Sequence, residues 1–159
     1  MPTVIDVLHT SAVTEELSDT EISNIAGMFE IKGYKSGETF VLSETVTHDC
    51  LSILANGNIK VTIPCGIGES TICMLNPGDV ADFNCFVFST ANKAKFYAVG
   101  DTIILRMNKY KFDNLVNSHP LMMCHVIYGM MNNMQSILRR MNKQIADLRD
   151  YIYGTHSTG

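Results

Sequence analysis

The chain has 159 residues, a length that suits one domain around one core and leaves little room for a second globular unit. With 46% hydrophobic and 18% charged residues it can build an apolar interior, which argues against disorder along most of its length. Twelve basic against sixteen acidic residues give a net charge of −4, so the molecule as a whole repels nucleic-acid phosphates, and no local basic patch offsets this.

Residues 1–13 show no clear period and are read as an arm. Their start, Met1-Pro2-Thr3-Val4-Ile5-Asp6, carries no basic n-region and no long apolar stretch, so no export is expected. No segment reaches the ~18 apolar residues that span a bilayer, and the expectation is a soluble, cytoplasmic protein without membrane contact. Ser18-x-x-Glu21 then forms a capping-box signature, with Ile22, Ile25, Ala26 and Phe29 following at helical spacing, and the helix is predicted to end near Gly33.

From Tyr34 to about Met107 the texture changes to short β-branched runs: Thr39–Leu42, Leu51–Leu54, Ile59–Ile63, Thr71–Leu75, Lys95–Val99 and Thr102–Met107. Asn56-Gly57 and Asn76-Pro77-Gly78-Asp79 read as turns between them. Such close-set strands predict an antiparallel barrel or sandwich.

Helix returns after Asn108, first as a short segment through Phe112 and Leu115. A long segment begins at Ser118-His119-Pro120, with Ser118 as N-cap and Pro120 in the first turn. No Gly or Pro interrupts it from Met130 to Tyr153, about 36 Å at the helical rise, more than so small a domain can cover. Two parts are therefore expected: residues 1–118, the β body with its N-terminal helix, and residues 119–159, the long helix and its polar tail.

The long segment carries the strongest pattern in the sequence. Ile127, Met131, Met134, Leu138, Met141, Ile145, Leu148 and Ile152 follow alternating steps of four and three, which is the heptad seam of a coiled coil. Between them stand polar residues such as Asn132, Asn133, Arg139, Arg140, Asn142, Lys143, Asp147 and Asp150. The helix either lies on its own β body or pairs with a second copy; the length and strictness of the repeat favour a two-fold dimer with these eight residues at its interface. Six of the ten methionines fall between Met122 and Met141. Methionine packs adaptably, so they serve either simply as filling or as a seam that slides when something binds nearby.

Five cysteines (Cys50, Cys65, Cys73, Cys85, Cys124) make an odd count with wide gaps, and fit neither a disulfide framework nor a paired metal site. Buried free thiols are expected. No two of the five histidines (His9, His48, His119, His125, His156) have helical ligand spacing, and no metal site is assigned. Gly66-Ile67-Gly68-Glu69-Ser70 is glycine-rich but has no helix behind it, so it reads as a hairpin and not as a phosphate loop. No nucleophile–base set or metal set emerges, and the chain is not expected to be an enzyme.

The order helix, short-stranded β region, short helix, long helix resembles the sensor domain of the catabolite activator and fumarate/nitrate regulator superfamily, which shares the cyclic nucleotide-binding fold. The likeness is carried by Tyr34-Lys35-Ser36-Gly37-Glu38-Thr39-Phe40-Val41, by Leu51 to Val61, by Leu75-Asn76-Pro77-Gly78-Asp79-Val80 and by Met107 to Phe112. It covers about residues 14–153. Gly37, Gly57 and Gly78 match the family's turn glycines, which need positive φ or a sharp turn. The resemblance implies a mainly β fold with flanking α, an antiparallel double-stranded β-helix (jelly roll) followed by a long C-terminal dimerisation helix.

It also implies where a ligand would sit. Family members that bind a cyclic nucleotide use a Gly-Glu-Leu type turn and an Arg-Ser/Thr-Ala segment, which take the phosphate and ribose. Here these fall on Asp82-Phe83-Asn84, followed by Cys85, and on Asn92-Lys93-Ala94, and neither motif is retained. Losing the Glu and the Arg removes two charge-assisted interactions of ~1.5–3 kcal/mol each, roughly two to four decades of affinity. Asp82 adds a like charge where a phosphate would sit, so cyclic AMP and cyclic GMP are expected to bind poorly or not at all. If Asn92 points inward, Ala94 and Phe96 share its face while Lys93 and Lys95 face solvent; a one-residue slip would turn the lysines in.

The family's cofactors are weighed likewise. Its iron–sulfur members crowd cysteines near the N-terminus, whereas the first here is Cys50. Haem would need ligands such as His48, Cys85, His125 or a seam methionine, without the spacing of a haem motif. The cofactor is left unknown. Family transcription factors continue into a DNA-binding domain, but this sequence stops at Gly154-Thr155-His156-Ser157-Thr158-Gly159, so direct DNA contact is not expected. The expected function is a dimeric small-molecule sensor that acts on a protein partner; a ligand-free dimeric scaffold and a haem or metal sensor remain as alternatives.

Overall fold

The structure, a computed structural model, describes residues 1–41, 50–81 and 94–154. Two short helices open it, α1 (Val4–Thr10) and α2 (Asp19–Ala26), joined through a 3-10 turn at Ala12–Thr14. The strands are β1 (Glu30–Tyr34), β2 (Thr39–Val41), β3 (Cys50–Cys65), β4 (Gly68–Leu75), β5 (Val80–Ala81) and β6 (Lys95–Asn108), and helices α3 (Lys109–Ser118) and α4 (Pro120–Tyr153) follow. Among the described residues the strands form an antiparallel sheet in the order β1-β6-β3-β4, with β2 added on β6 and β5 on β3. The mainly β fold with flanking α is as expected.

Several local expectations are corrected. The N-terminal arm is helical: Thr3 caps α1, its Oγ1 accepting from the Asp6 N–H while the Asp6 carboxylate accepts from the Thr3 N–H. Ser18 and Glu21 build the predicted box on α2, but that helix stops at Gly27 and not near Gly33. Phe29 is buried through a turn, and Gly33 lies in β1, paired with Ile103. Ser118 closes α3, its Oγ donating to the Asn114 carbonyl; α4 starts from His119 with Pro120 at its first position.

Asn56-Gly57 is not a hairpin turn. The runs on either side are one strand, β3, and Lys95–Val99 and Thr102–Met107 are likewise one strand, β6. Gly57 has φ +81°, and a Cβ there would lie 2.6 Å from the Asp101 carbonyl oxygen and 2.7 Å from Thr102 Oγ1. It is a bulge, and the β3–β6 register shifts on both sides of Asn56. The actual hairpin turns at Gly66-Ile67, where Gly66 has φ +59°.

The bulge lets β3 serve two cores. Leu51, Ile53 and Ala55 join a cluster with Val7, Leu8, Val13, Ile22, Ile25, Phe112, Leu115, Met122, Met123, Val126 and Met130, under the helices. Leu54, Ile59 and Val61 join Cys73, Leu75, Ala81, Ala94, Phe96 and Ile104 in a second cluster that fills the roll. Ile137 and Met141 of α4 pack against the second cluster from outside.

Helix α4 lies on the chain's own body over its N-terminal half. One stripe, Met122, Met123, Val126, Gly129, Met130 and Asn133, is buried on the chain's own body. From Asn142 onward every described residue of α4 is exposed. Where α4 crosses the 3-10 turn, a Cβ on Gly129 would collide with the carbonyl oxygens of Ala12 and Val13. Gly129→Ala should therefore destabilise by roughly 1–3 kcal/mol despite the ~1 kcal/mol that alanine contributes to a helix interior, read as a lower urea midpoint. A variant as stable as the parent would show that α4 lifts freely from the turn.

Candidate functional site

The site is built where the Asn76-Pro77-Gly78-Asp79 turn meets α4. Gly78, at φ +94°, donates its N–H to the Leu54 carbonyl at 2.7 Å, and its own carbonyl accepts from Ser11 Oγ at 2.9 Å. The turn is thereby fixed on both β3 and the N-terminal segment. Asp79 closes it: the Asn76 N–H donates to Asp79 Oδ2 at 2.8 Å, and the carboxylate is aimed at the long helix.

Two α4 residues, two turns apart, receive it. Asn133 Nδ2 donates to Asp79 Oδ1 at 2.8 Å, and Asn133 Oδ1 accepts from the Val80 N–H at 2.8 Å. Both Asp79 and Asn133 are buried. The Arg140 guanidinium closes on the same carboxylate through both terminal nitrogens, with 34% of its side chain exposed against 7% for Asp79. Every oxygen of the buried carboxylate is met, as burial of a charge requires. The network ties α4 to the last residues before β5 and to the first residue of β5.

Cys73 on β4 belongs to this corner. Burial pushes its thiol up from the ordinary range, with Asp79 adding to the rise and the Arg140 charge opposing it. Of the described cysteines, Cys73 is buried but Cys65 and Cys124 are exposed and Cys50 is intermediate, so burial does not hold for the set as a whole. In native protein at mildly alkaline pH, iodoacetamide should label the exposed Cys65, with Cys73 protected until unfolding. Fast labelling of Cys73 would mean that the corner opens.

Of the residues predicted to face a ligand, Asp82, Phe83, Asn84, Cys85, Asn92 and Lys93 lie outside the described residues, as does His48. Ala94 is described and buried, and with Phe96 it faces the roll cluster. Lys95 points away, donating to Glu69 Oε1 at 2.6 Å, and the same carboxylate accepts from Tyr97 at 2.8 Å and Thr62 at 3.1 Å. Those three donors hold the Glu69 carboxyl below its usual range, Lys95 first. The inward slip of this strand is therefore ruled out at Lys95.

Of the eight seam residues, Ile127, Met131, Leu138, Ile145, Leu148 and Ile152 are exposed, while Met134 and Met141 are half-buried. His125 is half-buried on α4 with no hydrogen-bond partner at Nδ1 among the described residues. No group of three His, Cys, Asp or Glu side chains able to hold a metal occurs among the described residues. No described helix is long and apolar enough to cross a membrane.

Asn133 and Arg140 were not legible as site residues. Both belong to the polar positions between seam residues, where a solvated face is the default. The available signal was that Asn133 continues the second apolar stripe, one turn after Met130 and one before Ile137.

No protein-family model matches the chain, and no curated protein does. Solved structures do. A cyclic nucleotide-binding domain from Methylobacillus flagellatus superposes with a TM-score of 0.78 at 13% identity, over 91% of this chain and 81% of that one. A CooA mutant from Carboxydothermus hydrogenoformans gives 0.65 at 22% identity, over 89% and 87%. The Thermus thermophilus catabolite activator protein gives 0.69 at 19% identity over 87% of this chain, which spans 63% of that longer one. This chain has the cyclic nucleotide-binding fold, the jelly roll with a long C-terminal helix that the glycine turns and helix order pointed to. At these identities the likeness is one of fold.

Proposed function

We propose that the chain is a sensor or regulatory module, not an enzyme, that pairs with a second copy through α4 and passes a signal to a protein partner. Its ligand is a small molecule other than cyclic AMP or cyclic GMP. The observation that carries this reading is one turn of α4, where Ile137 and Met141 rest on the roll cluster while Leu138 between them turns outward, 49% exposed. A change in the roll's filling is felt by the same turn that meets a partner helix.

The second copy is the occupant that the pattern supports. Cys124, Met131, Leu138, Ile145 and Ile152 occupy one heptad position, and Ile127, Met134, Met141 and Leu148 the other. Ile145 and Ile152 alternating with Leu148 is the arrangement that favours parallel two-stranded pairing. The departures at Asp82, Phe83 and Asn92 support a ligand without a phosphate, since each removes or opposes an anion contact. A ligand-free dimeric scaffold is the second reading, favoured by the roll cluster being filled by the chain's own side chains.

Light scattering should give a mass of two chains, and micromolar cyclic AMP should leave the melting temperature unchanged; a clear upward shift would overturn the ligand reading. Parallel pairing brings the two exposed Cys124 side chains together at the axis. A mild oxidant should cross-link a Cys65→Ser variant through Cys124 on a non-reducing gel. Antiparallel pairing would leave it uncross-linked.

A further inference from the structure

We propose that the N-terminal segment is part of a register lock on α4. The 3-10 turn at Ala12–Thr14 and the Gly78–Val80 turn, pinned to each other by Ser11, grip the helix at two points and hold it against sliding along its own body. The lock belongs to the single chain and goes beyond the sensor reading above, which does not depend on it.

The apolar stripe of α4 does not fix its position by itself. Met122, Met123, Val126 and Met130 are buried. Were the helix drawn back by four residues, about 6 Å at the helical rise, Val126, Ile127, Met130 and Met134 would take those four places, all of them apolar. Methionine fills uneven space readily, so packing alone accepts both positions. The slide would cost only the first turn, where the Met123 N–H donates to the His119 carbonyl at 3.0 Å.

Two places on one face of the helix reject that slide. Gly129 is the one glycine between Pro120 and Tyr153, and its backbone rests on the Ala12 and Val13 carbonyls with no space for a Cβ. The slide would set Asn133 there. One turn further on, Asn133 accepts from the Val80 N–H and donates to Asp79, both at 2.8 Å. Ile137 in its place could do neither, and Gln144 would stand where the Arg140 fork meets Asp79. A buried polar contact that only one position of a helix satisfies is an established way of specifying register. Ser11, 2% exposed, makes the two points one device: its Oγ donates to the Gly78 carbonyl at 2.9 Å and accepts from the Val13 N–H at 3.3 Å. A displacement of the turn before β5 is therefore carried whole to α4 and is not lost in sliding of the methionines.

The test is methyl NMR of the full-length protein labelled at methionine, with a soluble gadolinium chelate that broadens exposed methyl groups. In the parent, Met122, Met123 and Met130 should all be protected. Ser11→Ala combined with Asn133→Leu removes the pin and the polar contact while keeping the stripe apolar. This variant should show a second set of signals in which Met122 and Met123 are exposed and Met130 is still protected, because Met130 passes into the place of Val126. If all three stay protected as in the parent, packing alone sets the register and the inference falls. If all three become exposed together, α4 lifts off the body, and the two points are an anchor and not a lock against sliding. Where the double variant does not fold, Ser11→Ala alone should show the same split to a smaller extent, and a parent-like spectrum would overturn the inference.

Discussion

Asn133→Leu should cost about 2–5 kcal/mol of stability, although leucine is close in volume and better suited to a helix. The substitution strands two buried groups at once. The Val80 N–H loses its acceptor and Asp79 Oδ1 loses a donor, and each unmet buried polar group costs ~1–3 kcal/mol. Arg140 and the Asn76 N–H still hold the carboxylate, which keeps the loss below that of an isolated buried charge. The readout is the urea midpoint at an unchanged m-value. A loss under about 1 kcal/mol would mean that leucine packing in the stripe of Met130 and Ile137 offsets the network, and that the network contributes little to holding α4 on the turn.

The second large effect is on assembly. Leu138→Glu combined with Ile145→Glu should convert a pair of chains into single chains while leaving the body's unfolding midpoint nearly unchanged. In the single chain these side chains are already 49% and 64% exposed, so little of the chain's own core is lost. Pairing would bury the exposed part of each, about 1 kcal/mol per side chain. With four such side chains in a pair, the loss is about 4 kcal/mol, roughly three decades in the dissociation constant, before the like charges of four carboxylates near one axis are added. Light scattering across a dilution series reads it directly. An unchanged mass would show that the seam is not the interface.

These two variants lie one helical face apart, and that separation explains what could be read in the chain. The heptad run from Ile127 to Ile152 is a local pattern, legible because its period differs from that of its flanks. The stripe of Met122, Val126, Met130, Asn133 and Ile137 is equally periodic, yet a helix with two apolar stripes does not say which one meets its own body. The strand content was legible from β-branched runs. The joining of those runs was not, because Asn-Gly is the commonest tight-turn pair, and only the Asp101 carbonyl packed against Gly57 makes it a bulge. α1 was missed for a smaller reason: seven residues are too few to show a period, and aspartate stands where the capping box usually has glutamate.

The candidate site divides in the same way. The departures expected at Asp82, Phe83 and Asn92 come from residue types laid against a known motif and fall outside the described residues, whereas Ala94 and Phe96 share one buried face because alternation along a strand is a local rule.

Local chemistry was enough to specify the capped helix at Ser18, the turn at Gly78, the β texture and the heptad seam, since each depends on residues within a few positions of one another. The meeting of Asp79 with Asn133 and Arg140 joins residues 54 and 61 positions apart. No local rule can pair them: a carboxylate in a turn and an amide on a helix are each content with water until burial removes it, and only the packing of α4 across the roll makes them partners.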